Sequence, residues 1–245
     1  MSMTPEEKLF DVLKTADIHW FNSAVNLSLK GRYLYVENPK VASSTIKTKL
    51  HANELIGLKN IRVGPHPDIA NSPFVKPYQL PIEDAAEYVF GGDFFKFTFV
   101  RNPFHRLLSS YLDKIVGQAP EKGQIDAIWT RIHGGKKDNY TFAEFVEAIG
   151  SIPDVSRDKH WRTQTRITMA NHINYSFVGR FEQLAAHLSK IESMSRIDFS
   201  NLKEVSPHKT DAAARLKEFY TDDLLREVAR LYDVDFAQFA YKKEL

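Results

Sequence analysis

The stretch Pro39-Lys40-Val41-Ala42-Ser43-Ser44-Thr45 puts a lysine, small side chains and hydroxyls into one short run. Backbone N–H groups at a helix N-terminus lack intrahelical partners and point outward, so a helix starting here is suited to phosphate or sulfate. Ala42, Ser43 and Ser44 let an anion approach the backbone, Ser44 and Thr45 add hydroxyl donors, and Lys40 adds a charge that can follow developing negative charge. The glycines and the Gly-Lys-Ser/Thr ending of a Walker A loop are missing. Taken alone, these residues also describe a plain strand-to-helix turn with a solvated lysine, which is the simpler reading.

A second anion-binding candidate is Val100-Arg-Asn-Pro-Phe-His-Arg-Leu-Leu-Ser-Ser-Tyr111. Arg101 lies at a strand end, where open α/β sheets place ligand contacts. Its planar guanidinium suits paired, charge-assisted bonds to phosphate. Ser109 follows two helical turns later, and Arg106, Ser109, Ser110 and Asp113 make up the polar side of that helix. A structural ion pair for Arg101 and solvated serines are the alternative. For Arg106, pairing with Asp113 or another carboxylate is the preferred reading.

The other reactive residue types exclude more than they offer. With no cysteine among 245 residues, disulfides, thiolate metal sites and cysteine nucleophiles are ruled out. The nine histidines show no HExxH or comparable spacing, so no metal is expected. His105 lies on the helix of the second segment and reads as structural or solvated.

The elements that must position these residues follow from periodicity and punctuation. Arg32–Glu37 is aromatic and β-branched, a strand, and Asn38-Pro39-Lys40 breaks it before a helix over Ser43–Ile56. Phe94–Val100 is an apolar run typical of a buried strand. Asn102 and Pro103 supply an N-cap and a first-turn proline for a helix whose core stripe runs from Phe104 to Ile115. Thr141-Phe-Ala-Glu144 is a capping box opening a helix that closes at Gly150. Tyr175–Gly179 reads as a strand and Phe181–Ile191 as a helix, with Phe181, Leu184, Leu188 and Ile191 inward. Thr221 caps a last helix with Leu224, Leu225, Val228, Leu231 and Tyr232 on its buried face. Gly57–Asp93 reads mostly as loop around a short helix over Pro81–Phe90, and Gly117–Asn139 as a second long connection.

Strands alternating with helices imply an α/β fold, a central mostly parallel sheet flanked by helices. Composition shows no linker, so a single domain is expected, with an N-terminal helical extension over residues 1–30 and a core over 31–245. Formal charge is +2, from 33 Lys plus Arg against 31 Asp plus Glu, which argues against a broad nucleic-acid-binding surface. No apolar stretch is long enough to span a bilayer and the N-terminus lacks a signal-peptide core. A soluble intracellular protein is therefore expected.

These segments resemble the sulfotransferases that use 3′-phosphoadenosine 5′-phosphosulfate (PAPS), specifically the Golgi carbohydrate group that includes the chondroitin 4-O- and HNK-1 sulfotransferases. That group's PK-x-x-[small/polar] loop is matched by Pro39-Lys40 to Thr45. Its F-x-F-V-R-[DE]-P-F-x-R-L-x-S-[AS]-Y motif is matched by Phe97 to Tyr111, with Asn102 where an acidic residue is usual. Phe142-Ala-Glu-Phe-Val146, His160-Trp161, Tyr175 to Glu182 and Leu231-Tyr-Asp-Val-Asp-Phe-Ala-Gln-Phe-Ala-Tyr241 continue the ordered match from about Tyr33 to Tyr241.

The resemblance implies a P-loop-NTPase-like sulfotransferase fold and in-line transfer of a sulfuryl group from PAPS to a carbohydrate or glycoconjugate hydroxyl, leaving 3′,5′-adenosine bisphosphate (PAP). The acceptor would be a carbohydrate, polysaccharide or glycolipid; its identity, the position sulfated and the oligomeric state stay open. Lys40 and the amides of Val41, Ala42, Ser43, Ser44 and Thr45 would hold the 5′-phosphosulfate and stabilise the leaving group, and Arg101 and Ser109 the 3′-phosphate. His66, in the loop before the Arg101 strand, resembles the histidine general base of related enzymes, although its two flanking prolines also suit a surface loop. His160 is the second candidate for the base, with Trp161 either lining the acceptor site or in the core. Lys209 and Thr210 resemble further nucleotide contacts, and a capping turn suits them equally. The family's cysteines, anchor and stem are absent, which points to a bacterial-type cytoplasmic member. A nucleotide-dependent kinase and a non-catalytic nucleotide- or carbohydrate-binding module of the same fold are the competing readings.

Overall fold

A computed structural model describes residues 3–15, 17–58, 61, 63–199 and 212–245. In chain order the chain begins α1 (Pro5–Thr15), α2 (Ile18–Ala24), β1 (Val25–Ser28), β2 (Tyr33–Val36), α3 (Ser43–Glu54), α4 (Ile82–Phe90) and β3 (Phe95–Val100). There follow α5 (Pro103–Ser110), α6 (Lys122–His133), α7 (Phe142–Gly150), α8 (Gln164–Ile167) and β4 (Phe177–Arg180). The last elements are α9 (Leu184–Met194), α10 (Ala212–Phe219), α11 (Asp222–Leu231) and α12 (Asp233–Gln238). They form two compact units, one from residues 1–100 with 168–207 and the other from 101–167 with 208–245.

The first unit carries the sheet, in the order β1-β2-β3-β4. β2, β3 and β4 run parallel, with Tyr35 opposite Phe97 and Phe99 opposite Gly179. β1 pairs antiparallel with β2, Val25 opposite Val36. This edge strand lies in the stretch read from sequence as purely helical. Four residues, Val-Asn-Leu-Ser, show too little alternation to separate a strand from the end of a helix. Tyr33, Tyr35, Phe97 and Phe99 stack on one face with Val41, Ile46 and Leu50 of the α3 region and Leu188 and Ile191 of α9. Leu34, Val36 and Thr98 on the opposite face are also fully enclosed, as parallel strands require. The helix read over Phe181–Ile191 opens with a 3₁₀ turn over Phe181–Gln183, so Phe181 and Leu184 only border the core.

The second unit is helical around Phe104, Leu107, Leu108, Phe145, Trp161, Val228 and Phe236. Local signals set its helix starts. Asn102 Oδ1 accepts from the Phe104 amide at 2.9 Å, with Pro103 in the first turn. Thr141 and Glu144 form the expected reciprocal capping box. Beyond α5 the helix widens into a π turn over Tyr111–Val116. Gly117 ends it, and a Cβ there would lie 2.2 Å from the Asp113 carbonyl oxygen. The connection Gly117–Asn139, read from sequence as loop, contains α6. That helix buries Ile125, Ile128 and Trp129, but Gly123 and two weakly spaced apolar pairs obscure its period. Among the described residues, no helix is long and apolar enough to cross a membrane.

Candidate functional site

In the first unit, the carboxyl end of β2 leads into Glu37, Asn38 and the 39–45 loop. Asn38 is fully buried and its Nδ2 donates to the Phe99 carbonyl at 3.0 Å, tying the loop's base to β3. Thr98 Oγ1 donates to the Val36 carbonyl at 2.8 Å across the same two strands. The loop then turns through two left-handed residues, Lys40 at φ 67° and Ala42 at φ 56°. Each costs an L-residue roughly 1–2 kcal/mol, strain that the surrounding structure must hold in place and that clusters at ligand-binding turns. Ala42 is the N-cap of α3, and its methyl group has no oxygen to cap the amides that follow. Val41 is buried beneath the turn, while Lys40, Ala42 and Ser44 are half-buried. The backbone therefore presents a narrow, strained turn and an uncapped helix start with a lysine beside it, which suits an anion's oxygens.

His66 comes back to this same turn. Its Nε2 lies 2.8 Å from Ser44 Oγ, and its Nδ1 lies 3.4 Å from Lys47 Nζ and 3.6 Å from Glu37 Oε1. Lys47 and Glu37 make an ion pair at 2.7 Å, with side chains only 8% and 10% exposed, while the His66 ring is half in solvent at 53%. The histidine is thus anchored at its Nδ1 edge over a buried charge pair and reaches the phosphate-type loop with its Nε2 edge. One turn beyond Lys47, His51 is buried against Phe74, with ring centroids 5.3 Å apart. Burial and the Lys47 ammonium push its imidazole down to about 4, opposed by the backbone at Val63 and Gly64.

In the second unit, Arg101 and Ser109 are buried at 7% and 3% exposure, flanking the start and end of α5. Gln164 holds the Arg101 main chain from both sides: its Oε1 accepts from the Arg101 N–H at 2.9 Å and its Nε2 donates to the Arg101 carbonyl at 2.8 Å. Arg106 points inward and donates to the carbonyls of Arg162 and Lys159 at 2.8 and 2.9 Å. Its burial lowers the guanidinium pKa, against the pull of Tyr232, Asp235, Asp154 and Asp158. Arg106 therefore shapes the 157–163 segment. Of the carboxylates expected beside it, Asp113 lies 3.4 Å from Lys114, while Asp235, Asp154 and Asp158 act on the guanidinium.

The same segment carries His160. Its Nδ1 contacts Asp158 at 2.6 Å and Glu121 at 3.7 Å, and its carbonyl accepts from Ser110 Oγ at 2.6 Å. Burial raises the Asp158 carboxyl, but the hydrogen bonds from His160 outweigh it and hold the group below its usual range. Trp161 is fully buried, with Nε1 donating to Gln124 at 2.9 Å, so of its two readings the core one holds and its face is not open to a sugar. Lys209 and Thr210 lie outside the described residues.

The first unit thus brings together Lys40, Ser44 and His66, the latter two 22 residues apart, and the second carries Arg101, Ser109 and His160. Sequence reasoning passed over Glu37, Lys47 and Gln164, and quoted Asp235 within the C-terminal match without giving it a role. Glu37 and Lys47 flank the loop at short range, a charge before it and another one turn into α3, and that spacing was the available signal.

The family model described as "Sulfotransferase family" matches residues 30–242. Carbohydrate sulfotransferase 14 of Mus musculus is 28% identical over 179 residues, covering 65% of this chain and 43% of that protein. Carbohydrate sulfotransferase 14 of Danio rerio is 27% identical over 224 residues, 86% of this chain and 60% of that protein. Carbohydrate sulfotransferase 9 of Homo sapiens is 28% identical over 166 residues, 60% of this chain and 37% of that protein. The chain thus spans about half the length of the curated relatives it matches. No solved structure matches it. With the family match running almost end to end over a parallel α/β sheet and a strained anion-type turn at the end of β2, the chain belongs to the sulfotransferase family.

Proposed function

We propose that this protein is a PAPS-dependent O-sulfotransferase acting on a carbohydrate or glycoconjugate hydroxyl. The observation that carries the reading is the 39–45 turn, with left-handed Lys40 and Ala42 opening an uncapped helix and His66 against Ser44. Lys40 and the amides of residues 41–45 receive the 5′-phosphosulfate, while Arg101 and Ser109 receive the 3′-phosphate. The acceptor oxygen attacks sulfur in line, the bond from sulfur to the 5′-phosphate oxygen breaks, and PAP departs. Charge grows on that leaving oxygen, where fixed N–H groups and Lys40 stabilise it without reorganising.

His66 takes the acceptor's proton on Nε2. For this its Nδ1 must carry the hydrogen and turn it to Glu37 Oε1 at 3.6 Å rather than accept from the Lys47 ammonium at 3.4 Å, and Glu37 then offsets the charge of the imidazolium that follows. Ser44, now at Nε2, turns its hydroxyl to the incoming sulfuryl oxygens. The carbohydrate acceptor class rests on what the relatives' names state, and a cytoplasmic setting on the lack of cysteine.

The test is calorimetric titration with PAP and with Mg-ATP, followed by sulfuryl transfer from labelled PAPS to a panel of oligosaccharides. The expected result is PAP binding, transfer, and a loss of about 10²–10⁴ in kcat for His66→Ala with PAP affinity kept. Binding of Mg-ATP in place of PAP points to a kinase. PAP binding with no transfer to any acceptor points to a binding module, and a loss of transfer in His160→Ala but not His66→Ala moves the base to His160.

A further inference from the structure

Gln164 and Asp235 form a buried polar chain that ends on the Arg101 backbone, all within the second unit. Both side chains are fully enclosed. The Gln164 amide meets the N–H and the carbonyl of the same residue, at 2.9 and 2.8 Å, as a neighbouring strand would in an antiparallel pair. The two peptide planes flanking the Arg101 Cα are thereby fixed, and so is the direction in which its side chain leaves the backbone.

Gln164 is in turn held by Asp235. One carboxylate oxygen accepts from the Gln164 N–H at 2.7 Å, and the other accepts from the Thr165 N–H and hydroxyl, both at 2.8 Å. Burial raises this carboxyl's pKa, opposed by the Thr165 and Gln164 amides and by the Arg106 guanidinium. A buried amide and carboxylate are costly in an apolar core unless each polar atom is paired, and here the pairing is directed at one main-chain residue. Asp235 belongs to the Asp-Phe of the C-terminal segment that sequence comparison singled out without a role.

We propose that Gln164 and Asp235 are positioning residues for recognition of the 3′-phosphate: Asp235 seats the start of α8, and Gln164 sets the Arg101 backbone so that its guanidinium meets the phosphate. This rests on Arg101 being a phosphate ligand. Both side chains are fully enclosed, so the effect expected of them is confined to the interaction that Arg101 makes. The chemical step and the 5′ end of the nucleotide are untouched.

The test is calorimetry with PAP and with adenosine 5′-phosphate, which lacks the 3′-phosphate, on wild type, Arg101→Ala, Gln164→Leu and the double variant. Gln164→Leu should weaken PAP about tenfold, the scale of one charge-assisted bond, and change adenosine 5′-phosphate less than about twofold. In the double variant it should add nothing to Arg101→Ala. Equal weakening of both nucleotides, or additive losses in the double variant, would mean that Gln164 is merely structural and would overturn the proposal. Should Gln164→Leu fail to fold, Gln164→Glu keeps the shape and the acceptor but loses the donor to the Arg101 carbonyl. It must then show the same selective loss for PAP, and unaltered PAP affinity overturns the proposal. A wild type that binds no PAP overturns the sulfotransferase reading itself. PAP binding undiminished by Arg101→Ala leaves that reading standing and overturns only the positioning role.

Discussion

Replacing Lys47 by methionine tests the charge pair on which His66 rests. The Lys47–Glu37 contact is 2.7 Å long and both side chains are about nine-tenths buried. Removing one partner leaves a carboxylate in a low-dielectric site, a change that costs about 3–5 kcal/mol in buried pairs. His66 Nδ1 lies 3.6 Å from Glu37 and can supply partial compensation, which places the expected loss near the lower end, about 3 kcal/mol. For a chain of this size that corresponds to a fall in Tm of roughly 6–12 °C. Methionine keeps the apolar stem, so lost packing contributes little.

The measurement is thermal and urea unfolding followed by circular dichroism. Lys47→Met/Glu37→Gln removes both charges and should recover to within about 1 kcal/mol of wild type, because the uncompensated carboxylate is gone. A single variant within about 1 kcal/mol of wild type, or a double variant no more stable than the single, would refute the reasoning. Either result would mean that the pair is solvated and that Glu37 has no fixed orientation to impose on the histidine.

Two further perturbations probe other parts of the fold. His51 has a pKa of about 4 in the folded chain against 6.5 when unperturbed, so between these values the unfolded chain holds more protons. Its contribution is complete above pH 6.5 and is lost as pH falls towards 4, roughly 2–3 kcal/mol over that window. The urea midpoint should fall accordingly, and His51→Leu should flatten that part of the pH profile; an identical slope in the variant would exclude His51 as its source. Thr141→Ala removes the side-chain half of the α7 capping box and should cost about 1 kcal/mol by urea unfolding, with Thr141→Ser close to wild type. Equal stability of all three would show that the box contributes nothing.

Much of this architecture is written locally. Aromatic and β-branched runs at Tyr33–Val36 and Phe95–Val100 form strands because such side chains pack on a pleated, buried surface. Asn102-Pro103 and Thr141-x-x-Glu144 start helices because their hydrogen bonds close within three residues. Reading along the chain therefore located the strand-loop-helix units that carry the two candidate segments. Signals of that range fail where the period is weak, as at β1 and α6, and where a helix changes its pitch, as over Tyr111–Val116.

The arrangement at the site is of another kind. Nothing in Lys40 or Ala42 as residue types announces a left-handed backbone; the turn is held by Asn38 reaching β3 and by Val41 buried beneath. His66 meets Ser44 across 22 residues, Gln164 meets Arg101 across 63, and Asp235 meets Gln164 across 71. Trp161 became core for the same reason, since its neighbours come from helices distant in the chain. Residue types and spacing establish which groups are available and which helix ends can receive an anion. Which group meets which depends on closing long loops, and that is decided only when the hydrophobic cores pack and every buried polar atom must find a partner.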